Sequence, residues 1–204
     1  MSERRYFCLE FELPPYMKIL PTVFDRCKAS RYFLIHADEN PESNEASWYA
    51  RASLNEFKSA LDLIGLDMKA IHLSSEWAQS SERKELKDDL AIKMLRCCRN
   101  LSFHAGSITT KTKERTLRII GPEESRLSTF KTLFVDGMCN QVANARLKLT
   151  PDELIEISEI EDSIPLFMIL AECYKILGIF LENFLLSHGK LDVAECEKFW
   201  DRHR

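Results

Sequence analysis

The chain contains few of the residues that break regular structure: only 6 glycines and 7 prolines among 204 residues. This is too few for a long disordered or repetitive chain, and the sequence contains no internal repeat or low-complexity tract. Hydrophobic residues make up 45% and charged residues 29%, the balance of an ordinary soluble globular protein. We therefore expect one domain spanning residues 1–204.

An excess of positive charge is also lacking. The 28 lysines and arginines are outnumbered by 32 acidic residues, which gives a net charge of −4 and excludes a globally basic nucleic-acid binder. The charge is uneven, however: residues 81–118 carry ten basic and five acidic residues, whereas residues 149–204 carry five basic and twelve acidic. This pattern favours one anion-facing surface on an acidic body, although charge also fluctuates along any solvated chain.

Paired cysteines and targeting signals are missing as well. The seven cysteines include no C-x-x-C pair and no Cys/His cluster of zinc-site spacing, so we expect reduced thiols, no metal and no other cofactor. The first residues lack the apolar stretch of a signal peptide. The longest apolar run, 164–186, contains Glu172, Lys175 and Glu182, which predicts a buried core helix rather than a membrane span. A cytoplasmic location is the corresponding expectation.

Apolar residues recur mostly at helical spacing and predict a mainly α fold. Helices are expected at about 21–37, 45–64, 81–103, from Thr150, from 163 to about 188, and at 192–203. Gly65 is the expected C-cap of the second helix, Ser81 the expected N-cap of the third, and Gly189 the expected end of the long one. Thr150 and Glu153 have the spacing of a capping box.

A small β element is expected beside the helices. Residues 6–13 alternate between apolar and polar and end at two prolines, and residues 112–120 resemble a strand closed by Gly121-Pro122. These two strands could pair with each other. The segment 127–140 is ambiguous between helix and strand.

The residues best suited to chemistry lie at the end of the third predicted helix. Arg99 precedes His104 by five positions, and Asn100 stands directly after the arginine. On a helix, positions 99 and 104 lie about 140° apart, with Arg96 and Asn100 projecting between them. The same spacing recurs by chance at Arg31–His36, where an apolar run separates the two residues.

Large apolar residues share this arc of the third predicted helix, namely Ile92, Leu95 and Phe103. Cations mixed with such residues suggest a surface covered by a second subunit. The competing interpretation is a central helix that is buried on two sides within one chain.

The segment Cys98–Gly106 resembles the R-x(4–6)-H motif of the HEPN superfamily, small helical-bundle proteins of which many are metal-independent ribonucleases. The resemblance covers about residues 20–106 and, more loosely, 150–188. Residues 49–61 look like the early helix of the family. The resemblance implies an up-and-down helical bundle, with strand 6–13 and the strand region 107–126 as additions.

What the resemblance implies for function is RNA cleavage at a composite site between two identical chains. Histidine suits proton transfer near neutral pH, and a guanidinium suits binding of phosphate oxygens, so Arg99 and His104 are the expected catalytic residues. Asn100, Arg96 and Glu56 are expected to support them or to bind RNA, although Glu56 could simply be solvated. Small family members of this kind often act as toxins or antiviral effectors, which implies an antitoxin or another protein partner.

Two alternatives stay open. The chain could be a non-catalytic HEPN module that pairs with a partner protein or binds a nucleotide. It could also be an unrelated helical protein in which the motif occurs by chance.

Overall fold

The computed structural model describes residues 14–96, 109–120, 125–136, 150–153, 155–156, 159 and 164–202. Over these ranges the chain is mainly helical, with one two-stranded antiparallel sheet, as the apolar spacing predicts. The predicted strand at 6–13 lies outside the described residues. The elements are α1 (Pro15–Ile19), α2 (Pro21–Glu39), α3 (Ala46–Ala70), α4 (Ser74–Gln79), α5 (Ser81–Asp88), β1 (Thr109–Ile120), β2 (Ser125–Asp136), α6 (Leu166–Ser187) and α7 (Val193–Arg202).

The core forms where α2, α3 and α6 meet. The predicted apolar stripe of α3 is buried along its length, including Leu54, Phe57 and Ile64. The long apolar run is confirmed as a core helix, α6, whose Phe184 packs edge-on against Trp77 of α4 with ring centroids 5.0 Å apart. Within the described ranges, no helix is both long and apolar enough to cross a membrane.

A buried chain of hydroxyl groups joins the three core helices. The Ser30 hydroxyl on α2 donates to the carbonyl oxygen of Ser53 on α3 over 2.7 Å. It lies 2.6 Å from the hydroxyl of Tyr174 on α6, which must then donate to Ser30, because a serine has only one hydroxyl hydrogen. Burial raises the pKa of Tyr174 well above its ordinary value. These bonds fix the relative positions of three helices at one point.

The prediction that Gly65 caps the second helix is wrong, because α3 runs on to Ala70. The extra turns bury Asp67 and Met68, and the carboxylate Oδ2 of Asp67 accepts the backbone N–H of Val23 at the start of α2 over 2.9 Å. The helix instead ends at His72, which has a φ of 62°, while the Leu73 N–H donates to the Met68 carbonyl oxygen over 2.8 Å. This is the Schellman arrangement, in which a left-handed residue allows the last carbonyls to be satisfied.

The same arrangement ends α6, where the glycine was expected. Gly189 has a φ of 63°, and the Lys190 N–H donates to the Leu185 carbonyl oxygen over 2.9 Å. The prediction of this helix end is confirmed because glycine is the residue that adopts such a φ without strain. A histidine at the equivalent position of α3 gives no comparable signal.

The third predicted helix, 81–103, is broken. It begins at Ser81 as predicted, but its N-cap is Ser80 rather than Ser81, since the Ser80 hydroxyl accepts the Arg83 N–H over 3.1 Å. The helix stops at Asp89, whose ψ of 135° is extended, and a new helical segment covers residues 90–96. The carboxylate of Asp89 accepts the Ile92 N–H over 3.1 Å, so a residue that we placed inside the helix is the cap of the next one.

The new segment is half-buried within a single chain, with Ile92, Met94 and Leu95 in the core. Ile92 and Leu95, for which the sequence allows either a covering second subunit or burial within one chain, are at most 1% exposed. The interpretation of a helix buried on two sides is therefore the correct one for these two residues. Lys93 on the same segment donates to the Glu153 carboxylate over 2.6 Å.

Glu153 also completes the predicted capping box. It accepts the Thr150 N–H over 2.8 Å, while the Thr150 hydroxyl accepts the Glu153 N–H over 3.2 Å. The bond with Lys93 lowers the pKa of Glu153, with the Thr150 N–H contributing next. The start of the helical residues 151–153 is thereby attached to segment 90–96.

The β element is an antiparallel hairpin larger than the expected strand region 107–126. β1 pairs with β2 in continuous register from Thr109 opposite Asp136 to Ile120 opposite Ser125. The ambiguous segment is thus a strand up to Asp136. The hairpin is anchored to the end of α2, where the Thr132 hydroxyl donates to Asp38 over 2.6 Å.

Candidate functional site

The predicted site residues fall into two groups. Arg99, Asn100 and His104 lie outside the described residues, whereas Arg96 and Glu56 are described. Arg96 is the last described residue of segment 90–96 and precedes Arg99 by three positions in the sequence. Its surroundings therefore define the described edge of the candidate site.

Glu56 takes part in an interhelical ion pair. Its Oε2 lies 2.9 Å from Nη1 of Arg26, which joins α3 to α2. The glutamate side chain is 23% exposed and that of the arginine 47%. Its carboxylate therefore has a structural partner on α2, and Glu56 is neither simply solvated nor an evident ligand.

Arg96 lines a cavity of about 340 Å³ between α3, α4 and α5. The cavity is large enough for a small-molecule ligand. Its lining includes Asp62, Gly65, Trp77, Arg83, Lys87 and Arg96. Trp77 is buried and supplies an aromatic part of the wall. We call this cavity the basic pocket.

Positive charge exceeds negative charge in the basic pocket. Arg83 and Lys87 are four residues apart on α5, a spacing that brings their charges together on one face and destabilises a helix by itself. Desolvation, followed by the charges of Arg83 and Arg96, lowers the pKa of Lys87. An anion in the pocket would relieve both effects.

The one carboxylate that faces these cations in the described lining is already paired. Asp62 forms an ion pair with Lys58 one turn earlier on α3. It also favours the charged form of Arg96, though this effect is smaller than the desolvation that lowers the pKa of that arginine. The pocket therefore retains a positive excess.

Arg96 is held in the pocket with part of its guanidinium unsatisfied. Its Nε is buried and has no hydrogen-bond partner among the described residues. A buried, unpaired donor on a charged group costs folding free energy, on the order of 1–3 kcal/mol. Such a group is a candidate for binding a ligand that supplies the missing acceptor.

A second buried atom, again without a hydrogen-bond partner among the described residues, lies on the side of α3 that carries Asp62. The side-chain oxygen Oδ1 of Asn55 is buried without a hydrogen-bond partner. Asn55 and Asp62 are seven residues apart, which places them about 20° apart around the helix and about 10 Å apart along it. Asn55 Oδ1 therefore lies on the Asp62 side of α3, and the Nε of Arg96 faces that side.

The chance motif Arg31–His36 has a local structural explanation for its histidine. The Nδ1 of His36 lies 3.0 Å from the Tyr32 carbonyl oxygen on the same helix, and its ring packs on that of Tyr32 with centroids 4.2 Å apart. His36 is therefore a useful internal control for His104.

Sequence reasoning found Arg96 but missed the rest of the basic pocket. In the sequence analysis Arg83 and Lys87 belong only to the basic segment 81–118. Their i, i+4 spacing nevertheless indicates that they lie on one face of a helix. Gly65 is the predicted helix end but lies inside α3. A Cβ at this position would meet nothing within 4 Å, which leaves space in the pocket.

Within the part of the chain that the structure describes, no group of three or more His, Cys, Asp or Glu side chains could hold a metal ion. Comparison of the chain with protein-family models, curated proteins and solved structures gives no match. A function for this chain is therefore inferred from its own residues and their geometry.

Proposed function

We propose that this protein is a metal-independent endoribonuclease of the HEPN type, acting as a homodimer. The observation that carries the proposal is Arg96, a partly buried guanidinium whose Nε has no hydrogen-bond partner among the described residues. It lies in a pocket of positive excess and stands three and four positions before Arg99 and Asn100 in the sequence. Such a pocket attracts the phosphates of RNA towards the motif. The net charge of −4 restricts this attraction to one local surface.

In the proposed reaction, His104 removes the proton from a ribose 2′-hydroxyl, and the oxygen attacks the adjacent phosphorus. The bond to the 5′-oxygen breaks, that oxygen takes a proton from a general acid, and a 2′,3′-cyclic phosphate remains. Arg99 stabilises the charge that develops on the phosphoryl oxygens. Asn100 orients His104 or donates to phosphate, and Arg96 contributes positive charge at the edge of the site.

A role as a toxin or antiviral effector, restrained by a protein partner such as an antitoxin, belongs to this proposal. Its support is the resemblance of the segment Cys98–Gly106 to small HEPN ribonucleases. The excess of acidic residues in the region 149–204 would attract a basic surface of such a partner.

The proposal is tested by cleavage of an unstructured RNA in EDTA. His104→Ala and Arg99→Ala should each slow cleavage by about 10²-fold or more while the circular dichroism spectrum is unchanged. His36→Ala is the matched control, since it changes the histidine of the second motif with the same spacing, and it should leave the rate unchanged. Undiminished cleavage by both motif variants would overturn the proposal.

A second candidate function, a non-catalytic module that binds a nucleotide, is favoured by one observation, the volume and charge of the basic pocket. It predicts that the wild-type protein cleaves no RNA between pH 5 and 9 and still binds nucleotides. The same cleavage assay distinguishes it from the nuclease.

A further inference from the structure

We propose that the basic pocket is a binding site for a terminal phosphomonoester, such as the 5′-phosphate of an RNA or of a mononucleotide. This goes beyond cleavage, because it assigns a ligand to a pocket whose Arg83 and Lys87 have no part in the cleavage reaction. Its RNA form rests on the proposed function, whereas its mononucleotide form does not.

The number of cations argues for a monoester. Arg83, Lys87 and Arg96 face the pocket, and the one described carboxylate among them, Asp62, is neutralised by Lys58. A phosphodiester in the middle of a nucleic-acid chain carries one negative charge, whereas a phosphomonoester carries about −1.5 to −2 at pH 7 and three acceptor oxygens. Three cations that outnumber the one carboxylate in the described lining match the monoester better.

The donors of the pocket suit phosphate oxygens. Arg96 has a buried Nε that lacks an acceptor, and a guanidinium binds phosphate through more than one N–H. Lys87 adds a point charge at a position where the repulsion from Arg83 on its own helix outweighs the attraction of Asp88 on that helix. One phosphate between these groups would satisfy the arginine and remove the repulsion.

The shape of the pocket leaves room for more than the phosphate. Its volume of about 340 Å³ exceeds the space of a single ion, and Trp77 forms part of its wall. Gly65 keeps one side of the cavity open, since a side chain added there would extend into empty space. The group attached to the phosphate, a terminal nucleoside, fits the remaining volume.

The test measures binding with full-length His104→Ala protein, so that cleavage does not consume the RNA. Two fluorescent hexamers of the same sequence are compared, one with a 5′-phosphate and one with a 5′-hydroxyl. We expect the phosphorylated RNA to bind about tenfold more tightly. Unlabelled adenosine 5′-monophosphate and inorganic phosphate serve as competitors, and adenosine is the uncharged control.

Three variants in the same background locate the preference. Lys87→Ala removes a pocket cation, and Gly65→Gln fills the pocket without changing its charge. Lys84→Ala removes an exposed cation of the same helix that does not line the pocket. The tenfold preference should disappear in the first two variants and persist in the third.

The outcomes separate the sources of the phosphate. Displacement by adenosine 5′-monophosphate at concentrations near those of the RNA identifies a mononucleotide site, and displacement only by phosphorylated RNA identifies an RNA end. Equal binding of the two hexamers, or a preference that survives both Lys87→Ala and Gly65→Gln, would overturn the proposal. Since cleavage is measured separately, a failed preference with intact wild-type cleavage refutes only the pocket, and the reverse result refutes only the nuclease.

Discussion

On the side of α3 that faces α2, the polar side chains make interhelical bonds: Ser53 is bonded to Ser30, and Glu56 to Arg26. Asp62 lies about 180° around the helix from Ser53, on the side of the basic pocket. There the carboxylate forms its ion pair with Lys58 of the same helix, and the Nε of Arg96, which faces it, has no hydrogen-bond partner among the described residues. The polar groups on the first side stabilise the fold, whereas those on the second side retain the capacity to bind a ligand.

The difference shows how to separate structural from functional polar groups. A buried polar group that stabilises the fold is satisfied by other parts of the chain, as Ser30 is. A buried group that is left unsatisfied costs free energy and persists where binding requires it. The sequence makes both Glu56 and Arg96 candidates, and they differ in whether the chain supplies a partner. Glu56 accepts a hydrogen bond from Arg26, whereas the Nε of Arg96 has no partner among the described residues.

The largest stability effect is expected on the α2 side. Tyr174→Phe removes the hydroxyl that donates to Ser30 and should lower the free energy of unfolding by about 1–2 kcal/mol. Urea denaturation measures this difference. A loss below a few tenths of a kcal/mol would show that the buried hydroxyl chain is not a structural feature and would weaken the contrast.

An effect of opposite sign is expected on the pocket side. Gly65→Ala should raise the free energy of unfolding by up to about 1 kcal/mol, because alanine is the better helix former and its methyl group meets no neighbour within 4 Å. Thermal unfolding in phosphate-free buffer provides the measurement. Destabilisation by this substitution would mean that the space beside Gly65 is not open.

A smaller loss is expected for the exposed ion pair. Glu56→Gln keeps the shape of the side chain and should lower stability by about 0.5 kcal/mol or less, since Arg26 is well exposed to solvent. RNA cleavage should be unchanged in this variant, because Glu56 belongs to the α2 side. A large loss of cleavage would instead return Glu56 to the site and break the comparison.

The smallest effect on stability is expected at Arg96. Arg96→Met removes a partly buried cation whose desolvation is not repaid at Nε, so stability should stay within about 0.5 kcal/mol of the wild type or rise. Urea denaturation without phosphate checks this. A loss of several kcal/mol would show that Arg96 holds the fold together and has no spare donor for a ligand.

Apolar spacing predicts much of the fold. The stripe of α3, the core helix α6 and the end of α6 at Gly189 follow from periodicity and from the backbone freedom of glycine. One error occurs where long-range contacts override a local signal, and another where a local cap interrupts an apolar periodicity. α3 continues through Gly65 because Asp67 and Met68 are buried by the rest of the chain, and Asp89 interrupts the third helix to cap the next segment.

The candidate site was predictable only in part. Arg96 follows from its place beside the motif, but the pocket combines α3, α4 and α5, and α4 was not predicted at all. Its assembly depends on tertiary packing that no local pattern encodes. The hairpin partner of β1 likewise lay in the ambiguous segment, since a strand with Leu133, Phe134 and Val135 buried in succession does not alternate.

The central claim is that this chain cleaves RNA by attack of the 2′-oxygen without a metal. The most direct measurement is the chemical nature of the new RNA ends after incubation with the wild-type protein in EDTA, analysed by mass spectrometry. We expect 2′,3′-cyclic phosphates and 5′-hydroxyls, and their absence with the His104→Ala protein. Intact RNA, or products with 5′-phosphates and 3′-hydroxyls, would contradict the account.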